Sequence, residues 1–468
     1  LRLGELWNLI IQGNSGITEK AFIQSELESF MNSNKRREMI QAKEYYKGNH
    51  DIKKKVRSTV DELGQAFILQ NLPNNIICDN RVDDLVDQKT NYLLSKPIEV
   101  QSDVDLDDVF NMSFMRKLKS VGRESIQCGI AYLVPYFDTQ GKLQFKKLRS
   151  ENVLPFWADE EHTELDAFLY WYDIELYSVA GVKNTLTKVE YYTPSGVKYF
   201  TYSHGQLSDD TSRLSQSHYI NGNVPTNWHK IPLIPFKFNE YELPIIRRVK
   251  TLQDALNTLL SNFADNMEED VRSTILVIKN YDGEDLSNFR QKLATYGAIK
   301  VRTEDGVAGG VETLNIEVNA SNYELVLKLL RRSIIENGRG FDARDDRMSN
   351  NPNQMNIQSM YSDIDLDAND MESEFQASLE LLMEFVGEAM SLNADARFVF
   401  NRDLPINQAD IITNCKNSVG IISKETIIAN HPWTLDTEEE LKRLESETQE
   451  LDYVGGEQWD TGKNEPND

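Results

Sequence analysis

Five oxygen-bearing side chains, Asp363, Asp365, Asp367, Asn369 and Glu374, stand at positions one, three, five, seven and twelve of a single run. That is the ligand spacing of a loop that wraps a calcium ion. Other positions argue against it. Ala368 stands where the sharp turn needs glycine, Asp370 fills the usually apolar eighth position, and a helical period is already running from Met371. The run therefore reads as the acidic face of an exposed helix, and no bound metal is expected. A divalent-metal hydrolase built on Asp365 and Asp367 is the enzyme reading of the same residues. It lacks imidazole ligands, because His50, His162, His204, His218, His229 and His431 never fall at i, i+4 or beside a cysteine. These histidines read as surface or capping residues.

Nucleotide chemistry has no foothold either. The chain contains no G-x-x-x-x-G-K-[S/T] loop and no G-x-G-x-x-G after a strand, so neither a catalytic residue nor a cofactor is assigned. Cys78, Cys128 and Cys415 are odd in number and far apart, which excludes a disulfide framework or a zinc ribbon and fits a reducing compartment. A second group of polar side chains lies just before the acidic run. Arg344, Arg347, Met348, Ser349, Asn350, Asn351, Asn353 and Gln354 fall in a stretch, 342–355, too polar to hold a core and rich in turn-forming residues. It reads as an exposed loop. Asp345 and Asp346 stand between the two arginines and can neutralise both.

Long helices must position that loop. Over 246–270, Leu252, Leu256, Leu259, Phe263, Met267 and Val271 recur every three or four residues, and Gln253, Asp254, Asn262, Asp265 and Glu269 read as the solvated remainder. A second helix is expected over 322–337, with Ser321 and Glu324 as a capping box, Tyr323, Val326, Leu327, Leu330 and Ile334 as its stripe, and Gly338 as its stop. The two would stand antiparallel. Between them a strand at 274–278, a helix at 285–296 and a hairpin over 298–301 and 311–318 read as a small β-α-β-β cap. After the loop, Met371, Phe375, Leu379, Leu382 and Val386 mark a third long helix starting as early as Asn356, with a kink near its aspartates.

The 468 residues exceed one ordinary core, and the domain-size prior gives about three domains. Upstream, helices are expected over 19–47, around Val82–Leu93 and over 110–127, then strands at 131–136, 143–145, 168–172, 188–192, 197–202 and 234–236. Downstream, a strand at 398–400 and short helices split by Gly420 and His431-Pro432 precede an acidic tail, 451–468, read as disordered. The class is α+β. A net charge of −25 argues against a protein that grips nucleic acid over a broad surface, and no secretory or membrane-spanning segment appears.

Several stretches add up in order: Tyr45-Tyr46-Lys47-Gly48-Asn49-His50-Asp51-Ile52, Lys96-Pro97-Ile98, the helix-cap-helix-loop-helix block, and Gly420-Ile421-Ile422-Ser423-Lys424-Glu425-Thr426 followed by 438–447. Together they resemble portal proteins of tailed bacteriophages, of the type found in Gram-positive hosts. The resemblance implies a homo-oligomeric ring, typically of twelve subunits, at one capsid vertex of the virion, assembled in the host cytoplasm. Double-stranded DNA passes through it, driven by a terminase packaging motor, and a head-tail adaptor docks later; capsid and scaffolding proteins are further partners, with no membrane involved.

Part by part, the resemblance implies a mixed α/β wing at 1–240 with 357–402, and a stem of long antiparallel helices at 246–273 and 319–341. It further implies a small αβ clip at 274–318, a tunnel loop at 342–355, and an α-helical crown at 403–450. Arg344 and Arg347, with the loop amides, become candidates for transient phosphate contacts, and Arg339 a lesser one that can cap the preceding helix. A ring built by one heterologous contact repeated about an axis also explains narrow apolar stripes on each copy. A carboxylate-rich bore keeps counterion release, and so DNA affinity, small. The rival reading within the virion is a tail-side adaptor or scaffold with no DNA-facing loop.

Overall fold

The computed structural model describes residues 18–446 except 61–64, 69–71, 178–182, 214–215, 222–223, 273–274, 280–309, 315–319, 343–353, 392–394, 403–407, 435–436, 438 and 445. Two helices open it, α1 (Glu19–Met31) and α2 (Asn34–Tyr46). A single helix over 19–47 was expected. The chain instead restarts at Ser33, whose extended backbone and Oγ, accepting from Arg36 N at 3.2 Å, cap the second helix. Strands β1 (Ser58–Val60) and β2 (Ala66–Ile68) pair antiparallel, and α3 (Val82–Leu94) precedes β3 (Glu99–Ser102). Helix α4 (Met112–Cys128) is capped by Asn111, whose side chain accepts from Ser113 N and Phe114 N. It ends on Gly129 at φ +84°, where a Cβ would lie 1.9 Å from the Glu242 carbonyl oxygen.

The strand-rich part follows: β4 (Ile130–Phe137), β5 (Leu143–Leu148), β6 (Val153–Trp157), β7 (Leu165–Tyr177), β8 (Lys183–Thr193), β9 (Gly196–Ser203), β10 (Gln206–Asp209), β11 (Tyr219–Asn221), β12 (Val224–Thr226) and β13 (Ile234–Lys237). They form a five-stranded sheet in the order β10-β9-β8-β7-β6, a three-stranded sheet β13-β4-β5 and the hairpin β11-β12, all antiparallel. Alternation along β7 and β8 puts Ala167, Leu169, Trp171, Val189 and Tyr191 on one face, which buries Ile23 and Leu27 of α1.

The long elements come next: α5 (Ile246–Arg272), the antiparallel pair β14 (Ile275–Lys279) and β15 (Gly310–Leu314), α6 (Ala320–Asn337) and α7 (Gln354–Met390). Strand β16 (Ala396–Val399) pairs with β3, Phe398 opposite Val100. Helices α8 (Gln408–Asn417) and α9 (Lys424–Ala429) complete the described elements. Of the expected cap, β14 and β15 stand as an antiparallel pair, whereas the helix over 285–296 and the strand over 298–301 lie outside the described residues.

The chain divides into two compact units, one of residues 1–340 and 366–402, the other of 341–365 and 403–468. The core of the first is aromatic. Phe110, Phe114, Phe145 and Phe398 meet edge to face, and Phe236 of β13 stacks edge-on against Phe375 of α7. Leu379, Leu382 and Val386 continue that contact stripe down α7, as their spacing predicted. In the second unit Gly420 turns the chain at φ +85°, and Ser423 Oγ then caps α9 by accepting from Thr426 N.

Candidate functional site

Helices α5 and α6 lie side by side and antiparallel. Near the end of α5, Phe263 packs on Tyr323 of α6 with ring centroids 4.8 Å apart, and Asn266 Nδ2 donates to the Tyr323 hydroxyl at 3.2 Å. At the other end of α6, Ile334 enters the main core with Ile246, Val249 and Leu256 of α5. Ala320 already belongs to α6, so Ser321 stands inside the helix rather than capping it. Val326, expected in the buried stripe, faces outward with Leu325 and Leu329.

The non-stripe face of α5 is not solvated throughout, as its polar composition suggested. Gln253, Asn257, Ser261 and Asp265 recur at every fourth position and are all buried. They hold a segment without regular secondary structure, reading every second residue of it. Gln253 Oε1 accepts from Arg81 N at 2.9 Å and Asn257 Oδ1 from Asp79 N at 2.9 Å. Ser261 Oγ accepts from Ile77 N at 3.0 Å, and Asp265 takes Asn75 N together with Lys55 Nζ. Four helical residues advance about 6 Å and two near-extended residues about 6–7 Å, so the two repeats stay in step. Backbone donors that a sheet would satisfy are satisfied here by one helix face.

His50 closes this array: the expectation was a surface or capping residue, and it stands at the N-cap of Asp51–Lys54 but makes no side-chain cap bond. It is buried, stacks on Tyr45, and its Nδ1 receives Asn257 Nδ2 at 2.8 Å. The proton then sits on Nε2, which donates to the Tyr45 carbonyl at 2.9 Å and Asn80 Oδ1 at 3.0 Å.

The acidic run lies wholly within α7, so its five ligand positions turn about 100° per residue around a helix and cannot converge on one ion. Asp363 is exposed, whereas Asp367 is 2% exposed and surrounded by cations. Lys89 of α3 donates to its Oδ2 at 2.7 Å, Arg248 of α5 at 2.7 Å, and Arg339 to its Oδ1 at 2.8 Å. Burial works to raise the Asp367 pKa, and Lys89 and Arg248 outweigh it, holding the carboxyl below its usual range. Burial also drives the Lys89 ammonium down to about 8, with Arg248 and Arg339 adding to the fall.

A second cluster, Glu124, Cys128 and Glu151, has metal-like proximity. It is already occupied by protein cations: Lys43 pairs with Glu124 at 2.6 Å and with Glu151, and Lys147 pairs with Glu124 at 2.6 Å. Burial would raise Glu124, yet the two ammonium groups draw it down to about 2, while burial pushes the Cys128 thiol well up. This is a neutralised structural network.

Of the loop candidates, Arg344, Arg347, Met348, Ser349, Asn350, Asn351 and Asn353 lie outside the described residues. Gln354 is the first residue of α7, so the helix begins two positions ahead of Asn356. Arg339 is engaged inside the fold, with its carbonyl accepting from Lys89 and its backbone at φ +49°.

The amino-acid sequence matches a known family. The family described as "Phage portal protein, SPP1 Gp6-like" matches residues 31–452. The chain belongs to this phage portal protein family. Among named relatives, the portal protein of Bacillus phage SPP1 is 26% identical over 498 aligned positions, covering 99% of this chain and 95% of that protein. The portal protein of Clostridium phage phiCD119 is 26% identical over 432 residues, covering 86% and 91%. A phage portal protein has a structural role in the virion, and among the described residues no helix is long and apolar enough to cross a membrane. The residues that sequence reasoning missed are therefore architectural: the α5 amide face and the Asp367 cluster. The i, i+4 recurrence of Gln253, Asn257, Ser261 and Asp265 was the available signal for the first.

Proposed function

We propose that this chain forms a homo-oligomeric ring, of twelve copies, at one capsid vertex, and that double-stranded DNA enters and later leaves the head through its bore. The observation that carries the reading is the family match over residues 31–452. The antiparallel pair α5 and α6 supports it. Only part of its apolar surface is used within one copy, and Leu325, Val326 and Leu329 remain on the outer face of α6 for a neighbour. The formal charge of −25 per copy suits a conduit that must not hold a polyanion.

In this reading residues 1–240 with 357–402 are the wing, 246–273 and 319–341 the stem, 274–318 the clip and 403–450 the crown. The clip receives a terminase motor during packaging and a head-tail adaptor afterwards, and the wing rim meets capsid and scaffolding proteins. Arg344, Arg347, Met348, Ser349, Asn350, Asn351, Asn353 and Gln354 face the DNA from the tunnel loop at 342–355. Negative-stain microscopy of the purified protein tests the ring. A central bore is expected, and a monodisperse monomer at every concentration would overturn it. Deleting Met348–Asn353 tests the loop: packaging should fail while rings still assemble, and unchanged packaging would favour an adaptor.

A further inference from the structure

Both ends of the chain segment 341–365 are tied to one carboxylate. Where the chain leaves α6, Arg339 donates its guanidinium to Asp367 Oδ1 at 2.8 Å and offers its carbonyl to Lys89 Nζ at 2.8 Å. Where the chain rejoins the larger unit at residue 366, Asp367 is the second residue back. The same Lys89 donates to Asp367 Oδ2 at 2.7 Å, so one ammonium bridges the departing backbone and the returning side chain. Arg248, near the start of α5, adds a third cation at 2.7 Å. Helices α3, α5 and α7 and the end of α6 thus converge on one group.

The backbone at this junction is shaped to fit. Arg339 takes a left-handed conformation that arginine disfavours. It stands between Gly338 and Gly340, where a Cβ would lie 2.6 and 2.4 Å from the methyls of Leu85 on α3. The two glycines let the chain lie against α3, which brings the Arg339 carbonyl to Lys89. One cation would balance one carboxylate. Three keep Asp367 paired after the loss of any single partner, but only Arg339 reaches it from the departing chain.

We propose that Asp367 and Arg339 are a positioning pair that fixes where residues 341–365 leave and rejoin the larger unit. The pair gives the segment bearing Arg344 and Arg347 a set base. Its consequence for DNA rests on the channel reading, whereas the anchoring itself does not.

The test uses the full chain with Arg339→Asn, since asparagine accepts the left-handed backbone, and Arg339→Lys, which keeps the charge. Trypsin cleavage after Arg344 and Arg347, followed by mass spectrometry, should run about tenfold faster in Arg339→Asn and near the wild-type rate in Arg339→Lys. Cleavage elsewhere should not change. An unchanged rate in Arg339→Asn, or an acceleration spread evenly over all tryptic sites, would overturn the proposal. In phage carrying Arg339→Asn, DNA-filled heads should fall about tenfold while rings still assemble. Wild-type protein that forms no ring would remove the channel reading but leave the cleavage comparison intact.

Discussion

Gln253 on α5 reads the backbone of Arg81 directly, its Oε1 accepting from the Arg81 N–H at 2.9 Å. Asn257, one turn on, does the same for Asp79 and also donates to His50. Replacing Asn257 with leucine keeps the branched shape and removes both partners. The Asp79 N–H and the His50 Nδ1 are then buried without a bond, so the substitution should cost about 2–4 kcal/mol. Chemical denaturation at one fixed protein concentration measures it, because assembly shifts apparent stability. A cost below about 0.5 kcal/mol would mean that water or a neighbouring group replaces the amide.

The Asp367 cluster predicts an asymmetry between its members. Asp367→Asn leaves Lys89, Arg248 and Arg339 facing one another without an anion and should cost about 3–5 kcal/mol. Lys89→Met leaves the carboxylate paired with both guanidiniums and removes a buried ammonium, so it should be near neutral or stabilising at pH 7. A larger loss in Lys89→Met than in Asp367→Asn would show that the lysine, not the carboxylate, is the hub.

Lys89 also sets a pH dependence whose sign follows from its environment. Burial holds the folded-state pKa near 8, below the ordinary 10.5, so between those values the unfolded chain binds the extra proton. Stability conferred by this site therefore rises as pH climbs from 8 toward 10.5, by about 3 kcal/mol in all. Tyrosines of the unfolded chain ionise near the upper end of that range, so the informative comparison is wild type against Lys89→Met between pH 7 and 9.5. The wild type should gain on the variant across that window. A constant gap would mean that Lys89 keeps an ordinary pKa.

Gly129 marks a place where backbone meets backbone. At φ +84°, with a Cβ position 1.9 Å from the Glu242 carbonyl oxygen, Gly129→Ala meets an atom that cannot rotate away. The loss should exceed about 3 kcal/mol and show as insoluble protein or a sharply lowered melting temperature. Gly141→Ala is the control, since it shares the left-handed backbone at φ +76° but meets nothing within 4 Å. Its cost should stay near 1 kcal/mol, on the order of the backbone strain alone.

What was legible in the chain was periodicity. The apolar stripes of α5 and α7 located those elements, because burying a stripe leaves a record at fixed spacing. What was illegible depended on a partner with no side-chain signature. The sequence does not set Gln253 and Asp265 apart from solvated residues, because their partners, the N–H groups of Arg81 and Asn75, belong to a backbone that every residue shares. Asp367 looks like one of an acidic row because nothing local reveals Lys89, 278 positions away. The break at Ser33 was visible in Asn32-Ser33-Asn34, but the apolar rhythm on either side masked it. Arg344 and Arg347 remain candidates from sequence and family alone.

The outer face of α6 gives the sharpest test of assembly. Leu325, Val326 and Leu329 are 59%, 43% and 54% exposed in one copy, on a helix whose opposite side already packs against α5. Three adjacent apolar side chains left in water cost solubility unless something covers them, and in a closed ring the same helix of every copy meets a neighbour. Leu325→Glu with Leu329→Glu places like charges along that contact without touching the core. The isolated subunit should therefore keep its secondary structure and its melting temperature within a few degrees, while rings disappear from sedimentation and microscopy. Leu327→Glu is the opposing control: Leu327 packs against the buried core, so its variant should lose stability before assembly is at issue. Rings that persist in the double variant would place the subunit contact on another face of the stem.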